Sequence, residues 1–210
     1  MSKKAYLFSI STHPDTIHIN PLKITYFTPK INFSHYDYFI LSSKQAVVAL
    51  KAYPFEKYKD KKALCISTAT AKSYENLGAQ VLEIGSGYGD NLTSLISSYP
   101  KTTKWLYLRA EEVASDFAQK SREEGFSVEE VVVYKSECSD SMQSICICEE
   151  DQLIFTSPSS VKCFLKYHTI KQTNKVIVIG NTTAKALPKG LVPEVAYEKT
   201  VAACVKLLSL

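Results

Sequence analysis

The sequence predicts an α/β protein built from two similar open parallel-sheet domains. Three observations lead there. First, the chain repeats itself. Tyr38-Phe-Ile-Leu-Ser-Ser-Lys-Gln-Ala-Val-Val-Ala-Leu50 resembles Gln152-Leu-Ile-Phe-Thr-Ser-Pro-Ser-Ser-Val-Lys-Cys-Phe164, and Ala63-Leu-Cys-Ile-Ser-Thr-Ala-Thr-Ala-Lys72 resembles Val176-Ile-Val-Ile-Gly-Asn-Thr-Thr-Ala-Lys185. Ser43 falls against Ser157 and Thr70 against Thr183 at almost the same offset, which chance would not preserve. Second, the apolar runs are short and rich in Val, Ile, Leu and Phe, as suits parallel strands buried on both faces. Third, these runs alternate with helix patterns, the signature of an open, doubly wound sheet.

Taken in order, Met1–Ile10 reads as a first strand; its apolar run is too short for a signal peptide. The stretch 11–21 holds Pro14 and Pro21 and leaves no room for a full helix. Residues 38–50 give a strand, a hydroxyl pair and an amphipathic helix. Lys57-Tyr-Lys-Asp-Lys-Lys62 is the one dense basic run and reads as a solvated loop. Residues 63–72 repeat the strand-to-helix pattern, and Val81–Leu95 gives strand, glycine-rich turn and helix. Trp105–Arg109 is a strand. A helix over 111–122 would place Val113, Ala114, Phe117 and Ala118 on one face. Val131–Tyr134 is a strand. The second copy follows at 152–164 and 176–185. It ends in a strand and helix over 193–207, where the glycines of the first copy are absent.

Composition narrows the function. With 45% hydrophobic and 22% charged residues the chain is ordinary for a globular protein. The net charge of +4 comes without a basic stripe, which argues against nucleic acid. No apolar stretch reaches the roughly 18 residues of a membrane span. Cys65, Cys163 and Cys204 lie inside apolar periodic segments, where a free thiol behaves as a small hydrophobe. Cys146-Ile-Cys148 is not by itself a metal spacing. The chain therefore reads as cytoplasmic with reduced thiols.

Two motifs compete for the site. The turn Gly85-Ser-Gly-Tyr-Gly89 follows a strand and opens a helix, as in nucleotide and S-adenosylmethionine sites, and Glu111 stands at about the spacing expected of a ribose-binding carboxylate. Against this, at least four strand-like segments precede the turn, whereas a methyltransferase places it after its first strand. The other motif is a set of hydroxyls at strand C-terminal ends: Ser42, Ser43, Thr68, Thr70, Thr156, Ser157, Ser159, Thr182 and Thr183. They suit helix N-caps. They equally suit a ligand crevice, because in open α/β sheets ligands bind outside that strand edge, where helix N-termini attract anions. His13-Pro-Asp-Thr-Ile-His18 is a further candidate, for a metal.

On these residues the chain resembles the uroporphyrinogen-III synthase family. The similarity rests on Ile154-Phe-Thr-Ser-Pro-Ser159, Ile179-Gly-Asn-Thr-Thr-Ala-Lys-Ala-Leu187 and Val131-Val-Val-Tyr134, with Ile40-Leu-Ser-Ser43 and Ala69-Thr-Ala71 in the first copy. The resemblance implies two flavodoxin-like α/β domains joined by a two-stranded β-ladder, with the active site in the inter-domain cleft. One domain would combine 1–30 with 137–210 and the other span 33–133, with crossovers near 28–32 and 134–137. It implies no cofactor and no metal. The implied substrate is hydroxymethylbilane, a linear tetrapyrrole with eight carboxylates, cyclised with loss of water and inversion of its last ring. It further implies Tyr134 as the catalytic tyrosine, the hydroxyls above as substrate contacts, a monomer, and transient contact with hydroxymethylbilane synthase. The chain departs from the family where Arg109-Ala-Glu111 replaces Arg-Gly-Glu, and where Ser67 replaces a favoured Gly. Two alternatives stay open: an S-adenosylmethionine-dependent methyltransferase using the 81–89 turn, and a non-catalytic two-lobed receptor for an anion.

Overall fold

A computed structural model describes residues 3–87, 89–113 and 115–208. The chain divides into two compact units, one of Met1–Lys23 with Glu137–Leu210 and one of Ile24–Ser136. Its strands are β1 (Ala5–Phe8), β2 (Ile17–Ile19), β3 (Leu22–Tyr26), β4 (Tyr38–Leu41), β5 (Lys62–Cys65), β6 (Val81–Ile84), β7 (Lys104–Ala110), β8 (Ser127–Cys138), β9 (Gln152–Phe155), β10 (Lys175–Val178) and β11 (Glu194–Val195). Its helices are α1 (Lys44–Leu50), α2 (Thr68–Glu75), α3 (Gly89–Ile96), α4 (Phe117–Glu123), α5 (Pro158–Leu165), α6 (Asn181–Ala184) and α7 (Val201–Val205).

The discontinuous unit holds a five-stranded sheet of order β11-β10-β9-β1-β2, parallel at every pairing. The continuous unit's sheet has order β3-β8-β7-β4-β5-β6, with β8 through β6 parallel. The internal repeat explains both orders. Strands β9, β10 and β11 occupy the places of β4, β5 and β6, and β1 and β2 those of β7 and β8. The last two strands of one pattern are thus the first two of the chain. Alternate residues enter opposite cores. Phe39 and Leu41 pack in one cluster with Leu106 and Leu108, while Ile40 packs in another with Trp105 and Tyr107. In the other unit Tyr6, Phe8, Leu153 and Phe155 share one cluster, and Leu7, Ile154 and Ile177 the other. Both faces of each sheet are therefore covered, which is why the strands read as unbroken apolar runs.

Several elements differ from expectation. The chain after β1 forms a third structure, neither helix nor loop alone: β2 returns parallel to β1, tied by Ser9 N–H to the Ile19 carbonyl at 3.2 Å. β3 spans the point where Met1–Lys23 of one unit gives way to Ile24 of the other. The helix expected over 111–122 starts only at Phe117. Glu111 N–H bonds the Tyr134 carbonyl at 2.9 Å, which prolongs the β7–β8 pairing and holds the chain extended there. Phe117 and Ala118 are buried as expected, Val113 is exposed, and Ala114 lies outside the described residues. In the basic run Lys57 and Lys59 are exposed, but Tyr58 is a buried anchor packed on Phe33 and Phe55. The expectation of reduced thiols fails at one pair. Cys138 and Cys163 form a disulfide, because the end of β8 lies 5.2 Å in Cα separation from the middle of α5. Cys65, Cys146, Cys148 and Cys204 are free.

Candidate active site

A pocket of about 480 Å³ opens in the continuous unit, with Ser42, Tyr107, Tyr134, Gly87 and Gly89 among its lining residues. The pleat of the sheet builds it. Consecutive residues of a strand point to opposite faces, so Ser42 and Ser43, which follow β4, serve different tyrosines. Ser42 continues the face of Ile40 and hydrogen-bonds the Tyr107 hydroxyl at 2.7 Å. Ser43 continues the face of Leu41 and hydrogen-bonds Tyr134. The aim of Tyr134 depends on a local irregularity. The β7–β8 register slips so that Arg109 faces Val132 while Ala110 faces Tyr134. This extra residue in β8 puts Val133 and Tyr134 in the same core cluster, as a bulge does when it re-aims a side chain.

Burial pushes the Tyr134 hydroxyl above the ordinary tyrosine range, and the hydrogen bond from Ser43 partly offsets this. Tyr107 is likewise pushed up, chiefly by burial, with Ser42 opposing and the nearby Tyr134 adding to the rise. Both phenols therefore stay neutral at physiological pH, and both are donors. Ser43 also accepts from Gln45 N–H at 3.1 Å as the cap of α1, and the Gln45 side chain accepts from Tyr26. Arg109 is committed elsewhere. Its guanidinium bonds Glu130 at 2.9 Å and the carbonyls of Ala110 and Glu111 at 2.9 and 2.7 Å. Glu130 takes a second ion pair from Arg122 at 2.9 Å.

Gly87 and Gly89 of the glycine-rich turn line this pocket. Three amides of the turn are already used: Gly85 N–H bonds the Cys65 carbonyl at 2.7 Å, Ser86 N–H the Asn91 side chain at 2.9 Å, and Gly87 N–H the Ile66 carbonyl at 2.7 Å. A nucleotide loop needs those donors free. The methyltransferase alternative therefore finds no support.

The remaining hydroxyl corners divide into two kinds. Thr68 opens α2 and is exposed, but the cap of α2 is Ser67, and Thr70 is buried with its hydroxyl 3.3 Å from that of Ser67. In the other unit Ser157 caps α5 in a reciprocal capping box with Ser160, behind Pro158. Thr156 donates to the Phe8 carbonyl at 3.2 Å, and Ser159 is exposed. Thr182 is exposed on α6, whereas Thr183 is buried and α6 has no side-chain cap. Thr70 and Thr183 are therefore buried, whereas Thr68 and Thr182 are exposed. In the histidine loop, His13 Nδ1 accepts from Asp15 N–H at 3.3 Å, whereas His18 Nε2 lies 2.7 Å from the Ser9 carbonyl. Among the described residues no three metal-binding side chains gather. Tyr107 is the pocket residue that the sequence motifs do not single out. Its signal was there: a phenol in the middle of an apolar strand needs a hydrogen-bond partner when buried.

None of the curated proteins matches the chain by sequence. Among solved structures, uroporphyrinogen-III synthetase from Helicobacter pylori superposes with a TM-score of 0.82 at 24% identity, covering 98% of each chain. A mutant uroporphyrinogen III synthase from the extremely thermophilic bacterium Thermus thermophilus superposes with a TM-score of 0.66 at 12% identity, covering 98% of this chain and 96% of that one. At such identities the likeness establishes the fold. The family model of uroporphyrinogen-III synthase HemD matches residues 15–206, nearly the whole chain. The chain belongs to the uroporphyrinogen-III synthase family.

Proposed function

We propose that the pocket lined by Ser42, Tyr107 and Tyr134 is where this uroporphyrinogen-III synthase acts on hydroxymethylbilane, with Tyr134 as its acid. The reaction closes the bilane to uroporphyrinogen III, with loss of water and inversion of the last ring. The observation that carries the activity is the family match over 15–206. The bilane left alone closes head to tail, so the protein must bias one ring closure over another. Much of that is positioning, an entropic task. The acid step is departure of the substrate hydroxyl. Tyr134 is neutral at physiological pH and hydrogen-bonded to Ser43, a bond that also favours the phenolate left after proton transfer. Ser42 and the exposed hydroxyls Thr68, Ser159 and Thr182, with the half-buried Thr156 and Ser157, are assigned to substrate carboxylates. The buried Thr70, beside the capping Ser67, is assigned to the start of α2, and the buried Thr183 to packing under α6. No cofactor enters this reading. Cytoplasmic residence, a monomeric state and transient contact with hydroxymethylbilane synthase are also proposed. Contact with the enzyme that releases so reactive a substrate would limit its spontaneous closure.

In a coupled assay with hydroxymethylbilane synthase, the expected product is the type III isomer. Unchanged type I product from folded protein overturns the proposal. Tyr134→Phe keeps the ring and removes the proton, so kcat should fall about a hundredfold or more with KM nearly unchanged. Wild-type kcat in Tyr134→Phe would remove the tyrosine from the chemistry. Because the Tyr134 pKa is raised, its ionisation should impose no alkaline loss of kcat below about pH 10.

A further inference from the structure

We propose that Tyr107 is a positioning residue that fixes the direction of the Ser42 hydroxyl and makes Ser42 a donor to the substrate. This rests on the reading of the pocket as the active site.

Tyr107 stands in the middle of β7 with only 2% of its surface exposed. Its ring packs on Phe117 at 4.7 Å between centroids, which locks the side chain. Its hydroxyl ends 2.7 Å from Ser42 Oγ, and both residues line the pocket. Either oxygen of this pair could supply the proton, and the chemistry decides which does. A phenol is the stronger acid and so the better donor, and an alcohol oxygen is the better acceptor. Tyr107 therefore donates to Ser42, and the serine's own proton is turned away from the tyrosine. A serine hydroxyl rotates freely unless something holds it. Held this way, it presents a donor, and a carboxylate is an acceptor only. Burial keeps Tyr107 protonated well past neutral pH, so the orientation does not titrate there.

The neighbouring pair makes the division of labour clear. Ser43 is already occupied by Gln45 N–H and Tyr134, so it serves the acid. Ser42, one residue earlier and on the opposite face of the pleat, carries only the tyrosine of its own face among the hydrogen bonds described for its side chain. Two consecutive serines thus give two phenols different tasks: Tyr134 transfers a proton, and Tyr107 aims a neighbour.

The test is a double-mutant cycle of Tyr107→Phe and Ser42→Ala, read as KM and kcat for type III product and as melting temperature. Tyr107→Phe should raise KM about three- to tenfold, the scale of one oriented hydrogen bond, with kcat moving less. Ser42→Ala should raise it at least as much. The double variant should match Ser42→Ala alone, because the tyrosine acts only through the serine. Ser42→Thr, which keeps a hydroxyl, should retain most of the wild-type affinity. Independent, multiplicative effects, or an unchanged KM in Tyr107→Phe, overturn the proposal. So does a loss confined to melting temperature, the mark of a purely structural tyrosine. If wild-type protein yields only type I product, the reading of the pocket fails instead, before the cycle is run.

Discussion

Gly87 turns with φ +93°, a left-handed backbone that costs an L-residue with a Cβ about 1 kcal/mol or more. Space is not the constraint there, since a Cβ at Gly87 would meet nothing within 4 Å. At Gly89 the reverse holds. A Cβ would sit 2.0 Å from Ser115 Oγ and 2.4 Å from Ser115 Cβ, so the close approach of the α3 start to the 115–116 segment forbids a side chain. The two glycines should therefore fail differently. Gly87→Ala should lower stability by about 1 kcal/mol in any background. Gly89→Ala should lose about 1–3 kcal/mol by overpacking, and Ser115→Gly should relieve most of that loss because it removes both clashing atoms. Urea unfolding of the four variants measures this; an equal loss at Gly89 with and without Ser115→Gly would remove the steric explanation.

The Cys138–Cys163 bridge fastens the end of β8 to α5, the helix that Ser157 and Ser160 cap. It closes a loop at a sequence separation of 25, which in the chain-entropy picture is worth roughly 3 kcal/mol. Cys163→Ala should lower the unfolding free energy by about that amount, and a reductant should do the same to wild type but nothing further to the variant. Thiol titration in denaturant offers a second check: four thiols should react without reductant, since Cys65, Cys146, Cys148 and Cys204 are free. Six thiols under those conditions would show that the bridge does not form. Bridges are uncommon in reducing compartments. The count in protein alkylated on cell lysis therefore also tests the proposed cytoplasmic residence.

Across the whole molecule, burial raises the pKa of many phenols. Tyr6, Tyr26, Tyr53, Tyr58, Tyr74, Tyr107 and Tyr134 are pushed up, chiefly by desolvation, and Tyr36 and Tyr99 reach about 12 with help from Glu129 and Glu83. The Cys65 thiol is also pushed up to about 12. A group whose folded pKa exceeds its unfolded value gives stability that is intact below the unfolded pKa. That stability is lost as pH rises through the folded one. For tyrosine the loss begins near pH 10 and continues to about 12. The protein should therefore unfold cooperatively in this window, with phenolate absorbance appearing together with loss of helical signal. Full phenol ionisation with the fold intact would contradict the burial of these side chains.

Patterns that repeat along the chain were legible in the sequence alone, because they rest on local periodicity and on bulk burial. The apolar runs, the hydroxyls that follow them and the copy beginning near Gln152 fix two parallel sheets and the family. Tyr134, at the end of Val131-Val-Val, was singled out by the family resemblance, and its role as the acid is a proposal. What depends on distance in space was decided only by the tertiary structure. Thr70 and Thr183 look like Thr68 and Thr182 in sequence, yet helix phase turns the first pair inward and the second pair out. The glycine-rich turn carries a nucleotide motif, yet Cys65, Asn91 and Ile66 take up the amides of Gly85, Ser86 and Gly87. Cys163 reads as a core thiol until β8 brings Cys138 beside it. Tyr107 and Ser42 stand 65 residues apart and meet because β7 and β4 pair in parallel register, Ile40 beside Tyr107. Such partners are set by strand pairing, and strand pairing is non-local, so no window along the chain contains it.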